Sequence, residues 1–193
     1  MFQVRVHGRG GQGVVTTAEL LSVAAFAEGR HAQAFPSFGS ERTGAPVVAF
    51  CRLDDRPIRI REPIARPDAV IVQDATLLHQ ADVFAGLAED GYLLLNTSLP
   101  LADLGIDELV HRLGPGHLLS IPATELAVKR LGRPLPGAAL LAGFAVLTRR
   151  ILLTSVESAI HERFGGSVAE GNVLLAREAY DLMTRSRKAT TDA

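Results

Sequence analysis

The chain has 193 residues, of which 47% are hydrophobic and 21% charged, and its net charge is −1. That length suffices for one compact domain with a sizeable core. Interspersed charges, no long basic run and an aromatic content of 5% exclude a nucleic-acid surface, which needs clustered Lys and Arg or stacking aromatics.

The apolar balance suits a sheet covered on both faces, and equally a surface covered by a partner. Cys51 is the one cysteine, so it has no disulfide partner in the chain and cannot hold an iron–sulfur cluster. Its setting in Val47-Val48-Ala49-Phe50-Cys51 reads as core. No apolar run approaches the roughly 20 residues of a membrane helix, and the first residues read as a strand rather than a signal peptide. The expectation is a cytoplasmic protein that engages no membrane.

In chain order, Phe2 to His7 alternates and predicts a strand that runs into Gly8-Arg9-Gly10-Gly11-Gln12-Gly13. Val14, Ala18, Leu21 and Ala25 then recur at helical spacing to about Glu28, and Gly29 supplies a stop. His31 to Phe35 is a second strand. Pro36 to Pro46, with its prolines, glycines and hydroxyl residues, is a loop. Val47–Leu53 and Pro57–Arg61, joined at Asp54-Asp55, suggest a hairpin and therefore a mixed sheet.

Ala69–Val72, Gly91–Leu95 and His117–Ile121 predict further strands, the first two buried. Thr76–Leu87, Leu104–Leu113, Pro122–Leu131 and Ala138–Arg150 predict helices. Thr154-x-x-Glu157 and Ser167-x-x-Glu170 fit the capping box and mark two more helix starts. The last helix is expected to end near Arg185, with 186–193 as a flexible tail. Strands alternating with helices imply an α/β fold: one three-layer α/β/α domain over 1–185, with a mostly parallel, mixed sheet and a Rossmann-like first βα unit.

Gly8-x-Gly10-x-x-Gly13 has the spacing and the strand-to-helix context of a dinucleotide fingerprint. Glycines let the backbone approach a ligand, and amides at a helix N-terminus favour an anion. The turn thus reads either as a phosphate cradle or as a device for close strand–helix packing. A nicotinamide or flavin site needs an acidic residue closing the second strand. That strand ends in Phe35-Pro36-Ser37, and Glu28 lies before it.

The loop after the second strand should lie beside the glycine turn. There Arg42 offers a charge-assisted contact to a phosphate, and Glu41 offers a partner for Arg42 or for a ligand donor. The other reading is a solvated Glu–Arg pair. No metal-ligand spacing, Gly-x-Ser-x-Gly elbow or P-loop lysine occurs, and no residue is assigned a catalytic role. His7 beside the glycine turn reads as structural or ligand-touching. Asp74 and Asn96, each ending a buried strand, read equally as ligand contacts or loop caps.

Gly8-Arg9-Gly10-Gly11-Gln12-Gly13-Val14-Val15 and Ala34-Phe35-Pro36-Ser37-Phe38-Gly39-Ser40-Glu41-Arg42-Thr43-Gly44-Ala45-Pro46-Val47 together resemble the gamma subunit or domain of the pyruvate:ferredoxin (2-oxoacid:acceptor) oxidoreductase family. Arg66-Pro67-Asp68, Gly91–Thr97 and Ile121–Ala127 extend the resemblance over most of the chain in the same order. The family often has Arg or Gly where Thr43 stands, and Asn where Gly137 stands.

The resemblance implies oxidative decarboxylation of a 2-oxoacid to an acyl-coenzyme A. Thiamine diphosphate and iron–sulfur clusters would sit on alpha, beta and ferredoxin-like (delta) partners, with ferredoxin as acceptor. It further implies coenzyme A contacts from Gly8, Arg9, Gly10, Gly11, Gln12 and Gly13, and from Ser40, Glu41, Arg42, Thr43 and Gly44. The alternatives are a Rossmann-type NAD- or FAD-binding module and a non-catalytic scaffold.

Overall fold

Every residue of Ala69–Val72 is buried, and so are Leu93, Leu94 and Leu95, because strands covered on both faces must be apolar at each position. The computed structural model describes residues 1–37 and 43–191, with side chains through residue 187. Its strands are β1 (Phe2–Arg9), β2 (His31–Pro36), β3 (Pro46–Asp54), β4 (Ala69–Val72), β5 (Tyr92–Asn96) and β6 (Leu118–Ile121). They form one six-stranded sheet in the order β2-β3-β1-β4-β5-β6.

β1, β4, β5 and β6 are mutually parallel, and β3 runs antiparallel to both β1 and β2. The sheet is α/β and mixed, as expected, but its antiparallel strand arises differently. Residues 57–61 form no strand, since β1 and β2 already occupy both edges of β3. The first βα unit departs from the Rossmann arrangement in one respect: β3 is inserted between β1 and β2.

The helices are α1 (Val14–Ala27), α2 (Asp107–Leu113), α3 (Ala123–Leu131), α4 (Gly137–Thr148), α5 (Leu153–Arg163) and α6 (Gly166–Thr191). α1 and α4 lie on one face of the sheet, and α3, α5 and α6 pack around α4. All of Ala138–Thr148 is buried, which explains why that stretch is apolar without periodicity. Val4, Val6, Cys51, Ile71 and Leu94 join this large core.

The opposite face is thinner. Val70, Val72, Leu93 and Leu95 are covered there by 3-10 turns at Ala75–His79 and Leu101–Leu104, by the seven-residue α2, and by Val83 and Leu87. The helix expected over Thr76–Leu87 stops at His79. Beyond it, Arg5 Nη2 collects the carbonyls of Val83 (2.9 Å) and Ala85 (2.7 Å). Arg52 in turn donates to the carbonyl of Glu62. Buried loop carbonyls need donors, and these two buried arginines supply them.

Neither predicted capping box forms. α5 begins at Leu153 and α6 at Gly166, so Thr154 and Ser167 are already inside their helices. Glu157 instead takes a two-pronged contact from Arg177, each bond 2.8 Å. α6 continues past Arg185 to Thr191. Arg187 Nη1 donates to the carbonyls of Val146 (2.5 Å) and Leu147 (3.0 Å), which α4 leaves unpaired in its last turn. No helix among the described residues is long and apolar enough to cross a membrane.

Candidate functional site

The carboxyl ends of β1 and β4 adjoin where the chain order reverses, which is where open α/β sheets bind ligands. β1 ends at Arg9, a turn follows, and α1 begins at Val14 with Gly13 as its N-terminal cap residue. Gly11 (φ 94°) and Gly13 (φ 73°) occupy the left-handed region, which a side chain at either position would strain. Gly8 is required for space instead. A methyl group there would stand 2.6 Å from Val14 Cγ2 and 3.1 Å from Gln12 Oε1 and Gln73 Cβ. The two readings of the turn are therefore compatible: Gly8 permits close packing, and the packing presents the first turn of α1. Among the described residues the amides of Val14, Val15 and Thr16 have no acceptor.

The far end of the second loop lies where it was expected. Thr43 bridges Gly10 in parallel fashion. Gly10 N donates to Ala45 O (2.9 Å), and Gly44 N (φ 81°) donates to Gly10 O (3.1 Å). The turn and the Thr43–Ala45 segment are thus joined by backbone bonds. Ser40, Glu41 and Arg42 lie outside the described residues.

Arg9 ties these pieces together. Its Nε donates to Asp74 Oδ2 (3.2 Å), Nη1 to Gly44 O (3.1 Å), and Nη2 to Thr76 Oγ1 (2.7 Å) and Gln80 Oε1 (2.8 Å). Most of the guanidinium's donors are committed within the chain. Gln12 folds back over the turn. Its Oε1 accepts from Arg9 N (2.7 Å), and its Nε2 donates to Asp74 Oδ2 (2.8 Å).

Asp74 caps the 3-10 turn after β4, with Oδ1 accepting from Thr76 N (3.0 Å) and Thr76 Oγ1 (2.6 Å). Burial alone would raise its pKa. The bonds from Thr76 and Gln12 and the charge of Arg9 outweigh that and hold it below the ordinary value. Asn96 buckles β4, β5 and α3: Nδ2 donates to Gln73 O and Thr124 Oγ1 (both 2.7 Å), and Oδ1 accepts from Thr124 N (3.1 Å). Asp74 and Asn96 both act as loop caps. His7 is buried one strand position from Gly8 and accepts from Arg5 Nε (2.9 Å), a structural placement.

A cleft of 390 Å³ opens beside the turn, lined in part by Gln12, Gln73, Asp74, Asn96, Thr124 and Glu125. Gln73, Thr17 and Thr124 were not singled out from the sequence. The available signal for Gln73 was a polar residue ending an otherwise apolar strand. A hollow of 690 Å³ on the thin face, bounded by Leu78, Phe84 and Ile106, takes no residue from the glycine turn. Among the described residues no three His, Cys, Asp or Glu side chains are grouped to hold a metal ion.

Comparison with known proteins agrees in sequence and in fold. Residues 3–182 match the sequence pattern of the pyruvate ferredoxin/flavodoxin oxidoreductase family. The chain is 45% identical to the "Pyruvate/ketoisovalerate oxidoreductases common subunit gamma" of Pyrococcus abyssi, over 94% of this chain and 96% of that one. Its fold matches the crystal structure of the pyruvate oxidoreductase subunit PORC of Thermotoga maritima, with a TM-score of 0.79 and 32% identity over 93% of this chain and 95% of that one. It also shares the fold of part of the 2-oxoglutarate:ferredoxin oxidoreductase of Magnetococcus marinus, solved with 2-oxoglutarate, coenzyme A and succinyl-CoA. There the TM-score is 0.68 and identity 17%, over 97% of this chain and 31% of that one.

Proposed function

The chain belongs to the pyruvate ferredoxin/flavodoxin oxidoreductase family, and from that membership we propose that it is the gamma subunit of an oxidoreductase that decarboxylates pyruvate or a related 2-oxoacid to its acyl-coenzyme A. In this reading it works in the cytoplasm beside alpha, beta and ferredoxin-like partners. Those partners hold the thiamine diphosphate and iron–sulfur clusters and pass electrons to ferredoxin. This chain contributes an assembly surface and contacts to coenzyme A.

The observation that carries the coenzyme A assignment is the set of free first-turn amides of α1, held beside the Thr43–Gly44 segment by the Gly10 bridge. Such amides and the helix dipole favour a phosphate. Arg42, next in the chain to Thr43, is the proposed cationic contact, with Ser40 and Glu41 completing the loop. Arg9 serves by positioning, because its guanidinium is engaged with Asp74, Thr76, Gln80 and Gly44.

A dinucleotide site is less well supported. β3 separates β2 from β1, so the end of β2 does not adjoin the glycine turn as ribose recognition requires.

The test is steady-state kinetics of the assembled oxidoreductase. Arg42→Ala is expected to raise KM for coenzyme A by about ten- to a hundredfold, as loss of a charge-assisted bond implies, with kcat at saturating coenzyme A retained. An unchanged KM removes Arg42 from the site. Turnover of a 2-oxoacid by this chain alone would overturn the subunit assignment.

A further inference from the structure

Thr17 fixes how the buried Gln73 carboxamide is turned. The Thr17 hydroxyl donates to Gly13 O (3.0 Å), so its lone pair receives Gln73 Nε2 (2.9 Å). Gln73 Oε1 is thereby left as the free end of the amide. It is buried and has no partner among the described residues, although Gln73 is only 1% exposed and lines the 390 Å³ cleft. A buried acceptor without a donor is costly, and such atoms in native structures call for an occupant.

Gln12 lines the same cleft. Gln12 Oε1 and Gln73 Cβ each lie 3.1 Å from where a methyl group on Gly8 would stand. The Gln12 carboxamide holds two groups of the site: its oxygen takes the Arg9 amide and its nitrogen supplies Asp74 Oδ2. Were a ligand to displace the Gln12 carboxamide, the groups left to be matched would be one backbone donor, Arg9 N–H, and two acceptors, Asp74 Oδ2 and Gln73 Oε1. Their complement is a group with an acceptor and a donor side by side, which is what a carboxamide or the amino edge of an adenine presents.

We infer that this cleft is a second subsite, covered by Gln12, in which Gln73 Oε1 and Asp74 Oδ2 receive the donor of an uncharged amide or amidine-like group, while a phosphate of the same ligand lies on the α1 amides. The inference rests on the proposed phosphate role of the glycine turn. It adds that Gln73 selects what is attached to that phosphate. The acidic lining, Asp74 and Glu125, agrees with a neutral donor-bearing group and disfavours a second anion.

Calorimetry on the full chain tests it with three probes: inorganic pyrophosphate, adenosine 3′,5′-bisphosphate and 4′-phosphopantetheine. One organic probe is expected to bind at least about tenfold more tightly than pyrophosphate, the factor one well-made hydrogen bond supplies. Whichever probe does so identifies the adenine edge or the pantetheine amide as the occupant. Gln73→Leu is expected to erase that advantage and leave pyrophosphate binding as in the wild type, which also reports that the variant is folded. Gln12→Ala, at a half-buried turn position, is expected to tighten the same organic probe.

Equal binding of all three probes overturns the subsite, as does an advantage that survives Gln73→Leu. If Gln73→Leu does not fold, an organic-probe affinity unchanged by Gln12→Ala overturns the covered subsite. Organic-probe binding lost in Gln73→Leu, with no pyrophosphate binding at all, sustains the subsite and removes the phosphate role of the turn. No binding of any probe to the wild type removes both.

Discussion

Arg5 Nε donates to His7 Nε2 across 2.9 Å, two residues apart on one strand and therefore on one face of the sheet. To accept, the imidazole must be neutral. Burial, and then the charge of Arg5, push its pKa down to about 3 from an ordinary 6.5. Between those values the unfolded chain binds a proton that the folded chain refuses. Stability is therefore full above about pH 6.5 and declines as the pH falls toward 3, by a total on the order of 5 kcal/mol. Urea unfolding midpoints followed from pH 7 to 4 should show this decline. His7→Gln, which keeps an acceptor for Arg5 but does not titrate, should flatten it. The Asp74 contribution, lost as the pH falls from the ordinary aspartate value through its own depressed one, lies lower in pH. An identical slope in His7→Gln would refute the assignment.

Gly8→Ala is expected to destabilise the chain by about 1–3 kcal/mol through overpacking. The clash is with Val14 Cγ2 at 2.6 Å, so the start of α1 must move. Thermal unfolding measures the loss. Gly13→Ala meets no atom but keeps a φ of 73°, so its cost is strain alone, about 1–2 kcal/mol. If Val14→Ala relieved the defect of Gly13→Ala as well as that of Gly8→Ala, the distinction would fail.

Arg9→Lys should cost about 1–3 kcal/mol, because an ammonium cannot span Asp74, Gly44, Thr76 and Gln80 at once. Combined with Asp74→Asn, its effect should be strongly non-additive in denaturant titrations. Simple additivity would show that the two side chains do not act as one clasp.

Cys51 is fully buried, and burial raises its thiol pKa. Under native conditions it should resist a disulfide-exchange reagent, reacting only as fast as the chain unfolds. Rapid stoichiometric labelling of the folded chain would contradict the core placement.

The parts of the fold that local chemistry dictates were readable in the sequence. β4 and β5 announced themselves as continuous apolar runs, and the glycine turn as a strand-to-helix junction. What could not be read was set by long-range partners. Residues 57–61 have strand-like composition, yet β3 had no edge left for them. Thr76–Leu87 has helical periodicity, yet Arg5, some eighty residues earlier, takes the carbonyls of Val83 and Ala85. Thr154 and Ser167 match a capping pattern whose Glu157 is claimed by Arg177. At the site, Gly10 and the Thr43–Gly44 segment were placed side by side correctly, because loops from neighbouring strand ends must meet. Gln12 was expected as a coenzyme A contact, whereas Gln73 and Thr17 escaped notice, because a carboxamide or hydroxyl declares its role only through the orientation its neighbours impose.

The two faces of the sheet differ in how they can open. Where α1 and α4 lie, amides are shielded by whole helices packed against further helices. On the other face the cover is two 3-10 turns, a seven-residue helix and loops strapped by Arg5 and Arg52. Short turns unzip singly, so hydrogen–deuterium exchange should creep in from residues 75–87 and 101–113 long before it reaches residues 138–148. Because Asp74 and Asn96 stand at the border of that yielding side, a ligand held there would slow exchange well beyond the residues it touches.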